Sequence, residues 1–291
     1  MGRWYYKLKK PEYYLQPGRL LQKWLGGSRE MPVKTSYGGH IFCDPGDAMG
    51  KAIVNTGILD LVVSEMCLRL VKSDGFCIDA GANIGMMSQI MSLAAGKTGL
   101  VWSFEPNPEV YRLLLANTSL LPFQNLRCFQ MALGSTKGTG FLNFPTYYKK
   151  NNGTAFVARN ASENSLSVET NSLDNLLEGT SRRVQLLKID TEGSELEILK
   201  GCTGLLESKR IAHIIFEGGR KRPDAVFAFL SSFGYSILRI EKGWLSPVLC
   251  GIEEPSGIPG WETANFLATL TKAEDMRLTQ KPGYRCLTRV F

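Results

Sequence analysis

Phe76-Cys77-Ile78-Asp79-Ala80-Gly81-Ala82-Asn83-Ile84-Gly85, followed by a helix-like stretch and then by Val101-Trp102-Ser103-Phe104-Glu105-Pro106-Asn107, decides the fold of this chain. Each half is a short apolar run that ends at glycine or proline, the pattern of a strand buried on both faces. Between them Gly81 and Gly85 mark a strand-to-helix turn, where a missing Cβ lets backbone approach a ligand closely. Glu105 closes the second run 20 residues past Gly85, the place from which a carboxylate takes a pair of ribose hydroxyls.

The turn then selects among adenosine-bearing ligands. Dinucleotide sites use G-x-G-x-x-G, whose second glycine admits a pyrophosphate at the helix N-terminus. Here that position is Asn83 and the spacing is G-x-x-x-G, which disfavours a pyrophosphate. Asp79 repels a phosphate and suits a cation such as the amino group or sulfonium of S-adenosylmethionine (SAM). A plain βα turn with glycines for tight packing is the competing reading, and Asp79 together with Glu105 weighs against it.

Working outward, apolar runs alternate with helix-like segments. Phe76–Ala80, Leu100–Glu105, Leu126–Leu133, Val184–Asp190, Ile211–Glu217, Tyr235–Ile240 and Asn265–Leu270 read as strands. Val54–Val71, Gly85–Ala95, Glu109–Leu120, Ser172–Leu177, Ser194–Leu206 and Pro223–Phe233 read as helices. Such alternation predicts an α/β, Rossmann-like fold, a parallel sheet with helices on both faces. Residues 135–171, rich in Thr, Asn, Gly and Ser, read as a hairpin plus a mobile loop, 147–162, over the mouth of the site. Prolines and glycines break up residues 1–50 into an irregular N-terminal extension, leaving 51–291 as the main domain.

The 291 residues, 44% hydrophobic, are enough for one elaborated core. Seven cysteines are odd in number, scattered, and never in C-x-x-C spacing, as expected of buried free thiols in a reducing cytoplasm. No stretch approaches a membrane span, and the N-terminus lacks a secretory apolar core, so the expected location is cytoplasmic. The net charge of +7 is concentrated: residues 1–34 carry eight basic side chains against two acidic ones, and the remainder 26 against 25. Trp4, Tyr5, Tyr6, Tyr13, Tyr14 and Trp24 accompany that charge, which suits peripheral contact with an anionic membrane. A solvated leader that packs its aromatics on the domain is the equal alternative. Nucleic acid ranks last, because the rest of the chain offers no basic field.

Leu186-Leu187-Lys188-Ile189-Asp190-Thr191-Glu192-Gly193-Ser194-Glu195 is the second chemically loaded segment. Asp190 closes a buried strand, beside the Gly81 turn in an open α/β sheet. Carboxylates this close repel one another unless a proton, a cation or a metal sits among them. Asp190 and Glu192 would offer Mg²⁺ two ligands, a spacing that does not by itself establish a metal site. Glu195 reads equally as a cap of the following helix, and His213 as a packed residue of an apolar strand. Glu217 closes the next strand. No C-x-x-C, H-E-x-x-H, G-x-S-x-G or Asn/Asp-Pro-Pro-aromatic run occurs, which disfavours zinc, metallopeptidase, α/β-hydrolase and base N-methylating readings.

As a set, Ile78 to Gly85, Phe104-Glu105-Pro106-Asn107-Pro108, Ala132-Leu133-Gly134, Ser172-Leu173-Asp174 and Leu187 to Glu195 with Leu199-Lys200-Gly201 resemble the FkbM family of SAM-dependent methyltransferases. The resemblance spans roughly residues 57–217. It implies a class I methyltransferase fold, a seven-stranded mostly parallel sheet with one antiparallel strand near its edge. It further implies methyl transfer from SAM to a hydroxyl of a sugar, glycolipid or natural-product acceptor. Asp79, Gly81, Ala82, Asn83, Gly85, Glu105, Pro106 and Asn107 fall on the cofactor positions. The expected general base is Asp190, then Glu192, then Glu217. Two rivals stand beside this: a nicotinamide-dependent oxidoreductase, and a noncatalytic SAM-binding scaffold on membranes.

Overall fold

The buried strands assemble into one large sheet whose C-terminal edge carries the site. The computed structural model describes residues 10–16, 31–144, 156–158, 160–162, 164–218, 224–258 and 263–288. In chain order the elements are α1 (Pro11–Tyr14), β1 (Val33–Lys34), β2 (His40–Ile41), α2 (Ala48–Thr56), α3 (Leu61–Leu70), β3 (Phe76–Ala80), α4 (Met86–Ala95), β4 (Leu100–Phe104), α5 (Pro108–Thr118) and β5 (Leu126–Phe129). A small insertion follows, β6 (Ala132–Leu133), β7 (Gly138–Asn143), β8 (Phe156–Ala158) and β9 (Ser165–Asn171). The second half holds α6 (Leu173–Leu176), β10 (Val184–Ile189), α7 (Glu195–Lys200), α8 (Thr203–Glu207), β11 (Ile211–Gly218), α9 (Asp224–Ser232), β12 (Ser236–Lys242), β13 (Pro247–Gly251), β14 (Ala264–Thr269), α10 (Lys272–Gln280) and α11 (Arg285–Thr288).

The main sheet has the order β13-β12-β14-β11-β10-β3-β4-β5. Its central run, β11 through β5, is parallel, while β14 runs against β11 and β12. This is the expected Rossmann-like layout with eight strands in place of seven. The added strand β13 folds back on β12 as a hairpin, so two strands rather than one oppose the rest. Pro247 opens β13 on the sheet edge, where a missing N–H costs nothing, and that proline hides the strand from a pattern search. The insertion forms a second sheet, β6-β9-β7-β8, in which β7 and β9 are the predicted hairpin.

Three expected elements divide, each for a local reason. The Val54–Val71 helix becomes α2 and α3: Gly57 ends the first at φ 73, and Asp60 caps the second through Val63 N–H. The Leu126–Leu133 strand becomes β5 and β6, and β6 leaves for the second sheet. The Ser194–Leu206 helix becomes α7 and α8 because the Asp174 carboxylate reaches across to accept from Gly204 and Leu205 N–H. Of the 147–162 loop, Phe156–Ala158 is a strand paired with β7, and 147–155 and 159 lie outside the described residues.

Period-2 alternation sorts the strands onto two cores. Cys77, Leu186 and Ile215 pack with α3 and α4, whereas Ile78, Leu187, Ile214 and Phe216 pack with Ile198, Leu205 and Leu230 on the other face. Continuing the first alternation by two residues places Asp79, Lys188 and Glu217 on the α3/α4 face at the C-terminal ends of their strands. No disulfide joins any of the seven cysteines, five of which are buried. Most of the basic aromatic arm, 1–9 and 17–30, lies outside the described residues. Its described part docks on the β12–β13 hairpin: Lys242 Nζ lies 2.9 Å from Glu12 Oε1, and the Tyr14 hydroxyl donates to the Trp244 carbonyl. Among the described residues no helix is long and apolar enough to cross a membrane.

Candidate active site

The Gly81–Gly85 turn takes its shape from three left-handed residues, Gly81 (φ 75), Asn83 (φ 50) and Gly85 (φ 91). Asn83 therefore stands at a position whose backbone favours glycine, and asparagine is among the few other residues that adopt it readily. At Gly81 a Cβ would lie 1.9 Å from the Asp190 carbonyl oxygen, so glycine is what lets the ends of β3 and β10 meet. Every N–H of the turn is used within the protein. Gly81 and Ala82 donate to the Phe104 carbonyl, Asn83 to Glu105, Ile84 to the Asn83 side chain and Gly85 to the Ala82 carbonyl. None remains to cradle a pyrophosphate, in agreement with the sequence reading.

Glu105 closes β4 almost fully buried. Its Oε2 accepts from Asn83 N–H at 3.0 Å and its Oε1 from Asn107 N–H at 2.9 Å. Burial pushes its carboxyl up to about 7, against the opposing effect of those two N–H groups. Each oxygen keeps a further lone pair for a hydroxyl donor. Asn107 caps α5 through Glu109 N–H, ahead of Pro108 in the first helical turn, and its Nδ2 is buried without a partner.

Lys188 is the residue that sequence reasoning passed over. It faces Asp79 across β10 and β3, and its Nζ lies 3.3 Å from Asp79 Oδ1 and 3.2 Å from Asp190 Oδ2. Asp79, fully buried, also accepts from the Ser88 hydroxyl at 2.6 Å. Burial pushes the Asp79 carboxyl up, opposed by Lys188 and Ser88. Burial works against the Lys188 ammonium as well, yet the Asp190 and Asp79 carboxylates outweigh it and raise its pKa. Lys188 thus occupies the place that a cation between these carboxylates would take. Among the described residues no group of three His, Cys, Asp or Glu is disposed to hold a metal, and Mg²⁺ does not fit this donor set.

Two chambers flank the Gly81 turn and share Gly81, Asn83, Asp190 and Glu192. The larger, about 380 Å³, is lined by Asp60, Met86, Met87, Lys188 and Asn265 as well, and Ala82 reaches it. The smaller, about 60 Å³, holds Glu105 and Pro106 with apolar Leu133, Leu142 and Val157. Of the sequence-predicted residues, Asp79, Gly85, Asn107 and Glu217 line neither. Asp79 stands behind Lys188, and Gly85 lies against α5, where a Cβ would meet Leu114. Glu217 accepts from the Thr263 hydroxyl, and burial, opposed by that bond, pushes its carboxyl up to about 7. Glu192 adopts φ 53, a strained value for its type, and its carboxyl is raised by burial and by Asp190 and Glu195. Glu195, in the first turn of α7, accepts from Gly193 N–H and from the Thr191 hydroxyl and so ties the preceding loop rather than capping the helix, while His213 is packed against Thr269 and Asp275.

Comparison with known proteins agrees with this geometry. The chain is 31% identical over 158 residues to the hexuronic acid methyltransferase AglP of Haloferax volcanii, a match covering 54% of this chain and 62% of that protein. It is 27% identical over 199 residues to Methyltransferase 1 of Beauveria bassiana, covering 60% and 78%. It is 30% identical over 171 residues to Methyltransferase sdnD of Sordaria araneosa, covering 48% and 66%. The match thus spans under two thirds of the archaeal relative's length. The nicotinamide-dependent alternative gains no support from these relatives or from the turn. A family model for the methyltransferase FkbM domain matches residues 79–237, beginning at the buried Asp79 and ending in β12, and the chain belongs to that family.

Proposed function

We propose that the protein transfers a methyl group from SAM to a hydroxyl of a sugar, glycolipid or related natural product. The carrying observation is Glu105, a strand-end carboxylate that lines the smaller chamber with one N–H on each oxygen and capacity left for two hydroxyl donors. The unpartnered Asn107 Nδ2 and the Gly81 approach to Asp190 also suit an adenosine ligand, while the occupied N–H groups of the turn suit a phosphate poorly. Glu105 would hold the ribose hydroxyls, and Pro106, Leu133 and Val157 the apolar surface beside them. The name of the Haloferax volcanii relative, a hexuronic acid methyltransferase, supports a sugar ring as the acceptor and carries no argument here for the acid group of that sugar.

When bound, SAM supplies an electrophilic methyl on a sulfonium. The chain's part is then to place the acceptor oxygen in line, an effect worth up to about 7–11 kcal/mol. Asp190, at the junction of the two chambers and fixed by Lys188 at 3.2 Å, is the base that takes the hydroxyl proton. Lys188 and, through it, Asp79 hold that carboxylate in position. Glu192 and Glu217 stand next in order as bases.

Calorimetric titration with SAM and S-adenosylhomocysteine (SAH) tests this reading. Glu105→Ala removes a charge-assisted pair worth about 1.5–3 kcal/mol and is expected to weaken binding tenfold or more. Absence of binding by the wild type would leave the fold without its cofactor.

A further inference from the structure

The larger chamber does not end at the catalytic carboxylates. It meets a further chamber of about 320 Å³ at Leu59, Asp60 and Asn265, which line both. Asp60 sits at this waist at φ 40, bonded to Val63 N–H and, across from α3 to β14, to Asn265 Nδ2 at 2.8 Å. The outer chamber is apolar along Ile58, Leu61 and Ile240, and polar at Thr56, Thr263 and the Glu12–Lys242 pair. Glu12 Oε2 is buried there with no hydrogen-bond partner.

Together these groups form a path of acceptors: Glu192 and Asp190 inside, Asp60 at the waist, Glu12 outside. The cation among the described residues of the inner chamber, Lys188, is already engaged by two carboxylates. A hydroxyl donates to such groups, whereas a carboxylate or phosphate is acceptor-only and meets like charge at Asp190, Glu192 and Asp60, the Lys242 ammonium of the outer chamber being engaged by Glu12 at 2.9 Å. We propose that the acceptor is a hydroxyl-rich molecule of at least two rings that bears no carboxylate or phosphate. It lies through both chambers, and Asp60 selects it at the waist. This rests on the methyl-transfer reading above and narrows its acceptor.

The test uses the full chain saturated with SAH, and affinities measured by calorimetry for methyl glucoside, methyl maltoside and methyl glucuronide. The wild type is expected to bind maltoside at least fivefold tighter than glucoside, and glucuronide at least tenfold weaker. Asp60→Asn keeps a side chain that caps α3 as well as aspartate does, so the fold is retained. In Asp60→Asn the preference for glucoside over glucuronide should shrink to within threefold, with the SAH affinity unchanged within threefold. Equal binding of glucuronide and glucoside by the wild type, or undiminished discrimination in Asp60→Asn, overturns the proposal. SAH binding with no affinity for either neutral sugar overturns the acceptor class alone. Failure of SAH to bind overturns the methyl-transfer reading and this one with it.

Discussion

Replacing Lys188 by methionine keeps most of the side-chain length and removes the charge that two carboxylates share. Asp190 is 48% exposed and can turn to solvent, but the Asp79 side chain is fully buried and cannot. Its remaining partner is the Ser88 hydroxyl, so the variant must bury an unpaired carboxylate or protonate it. Breaking a buried pair by removing one partner costs about 3–5 kcal/mol. At roughly 2–3 °C per kcal/mol for a chain of this size, Tm at pH 8 should fall by about 6–15 °C. The pH dependence follows in sign. A buried carboxyl without its cation has a folded-state pKa raised above the unfolded value of about 3.9. The penalty is then absent below the unfolded pKa and grows as pH rises through the folded one, so variant and wild type differ least near pH 5 and most at pH 8. Asp79→Asn combined with Lys188→Met leaves no orphaned charge and should recover at least half of the loss. Thermal unfolding across pH 5–8 for the three proteins checks this. A drop below about 2 °C, or a double variant no more stable than Lys188→Met, would refute the assignment of Lys188 as the counter-ion of Asp79.

Gly81→Ala places a Cβ 1.9 Å from the Asp190 carbonyl oxygen at φ 75, where a left-handed alanine alone costs about 1–2 kcal/mol. SAH affinity measured by calorimetry should fall at least tenfold as the two strand ends part, and an unchanged affinity would show that the turn does not set the site. Asp190→Ala should keep SAM binding within a few-fold while turnover, followed by transfer of labelled methyl, falls about 10²–10⁴-fold. Loss of binding as well would make Asp190 a cofactor or structural residue.

The parallel core was legible because its strands are buried on both faces and read as unbroken apolar runs: Phe76–Ala80 and Val184–Ile189 are found where the pattern put them. What was not legible depended on contacts between distant segments. The break between α7 and α8 needs Asp174, some 30 residues upstream, to cap the second helix. Asp60 falls inside the single Val54–Val71 helix expected from sequence, and only the break after Gly57 and the packing of α3 against β14 bring it to Asn265 and to the waist of the cavity. Asn83 could have been recognised by its type, since asparagine among glycines is itself a sign of left-handed backbone.

Lys188 shows what kind of signal remained unused. A lysine inside Leu-Leu-Lys-Ile conflicts with burial, and almost no lysine is buried unless it is paired. Its partner cannot be named from local sequence, because parallel pairing sets residues more than a hundred positions apart side by side. Yet an aspartate inside Phe-Cys-Ile-Asp-Ala is the same anomaly with the opposite sign, also within one turn-forming residue of a strand end. Two such anomalies in strands destined for one parallel sheet predict each other: both must lie at the same height on the same face, or neither charge is affordable there. That pairing also explains why Asp190 is the accessible carboxylate of the two that Lys188 engages. Asp79 saturates the inner side of the ammonium, and what Lys188 still offers points outward, to the junction where the acceptor oxygen would arrive.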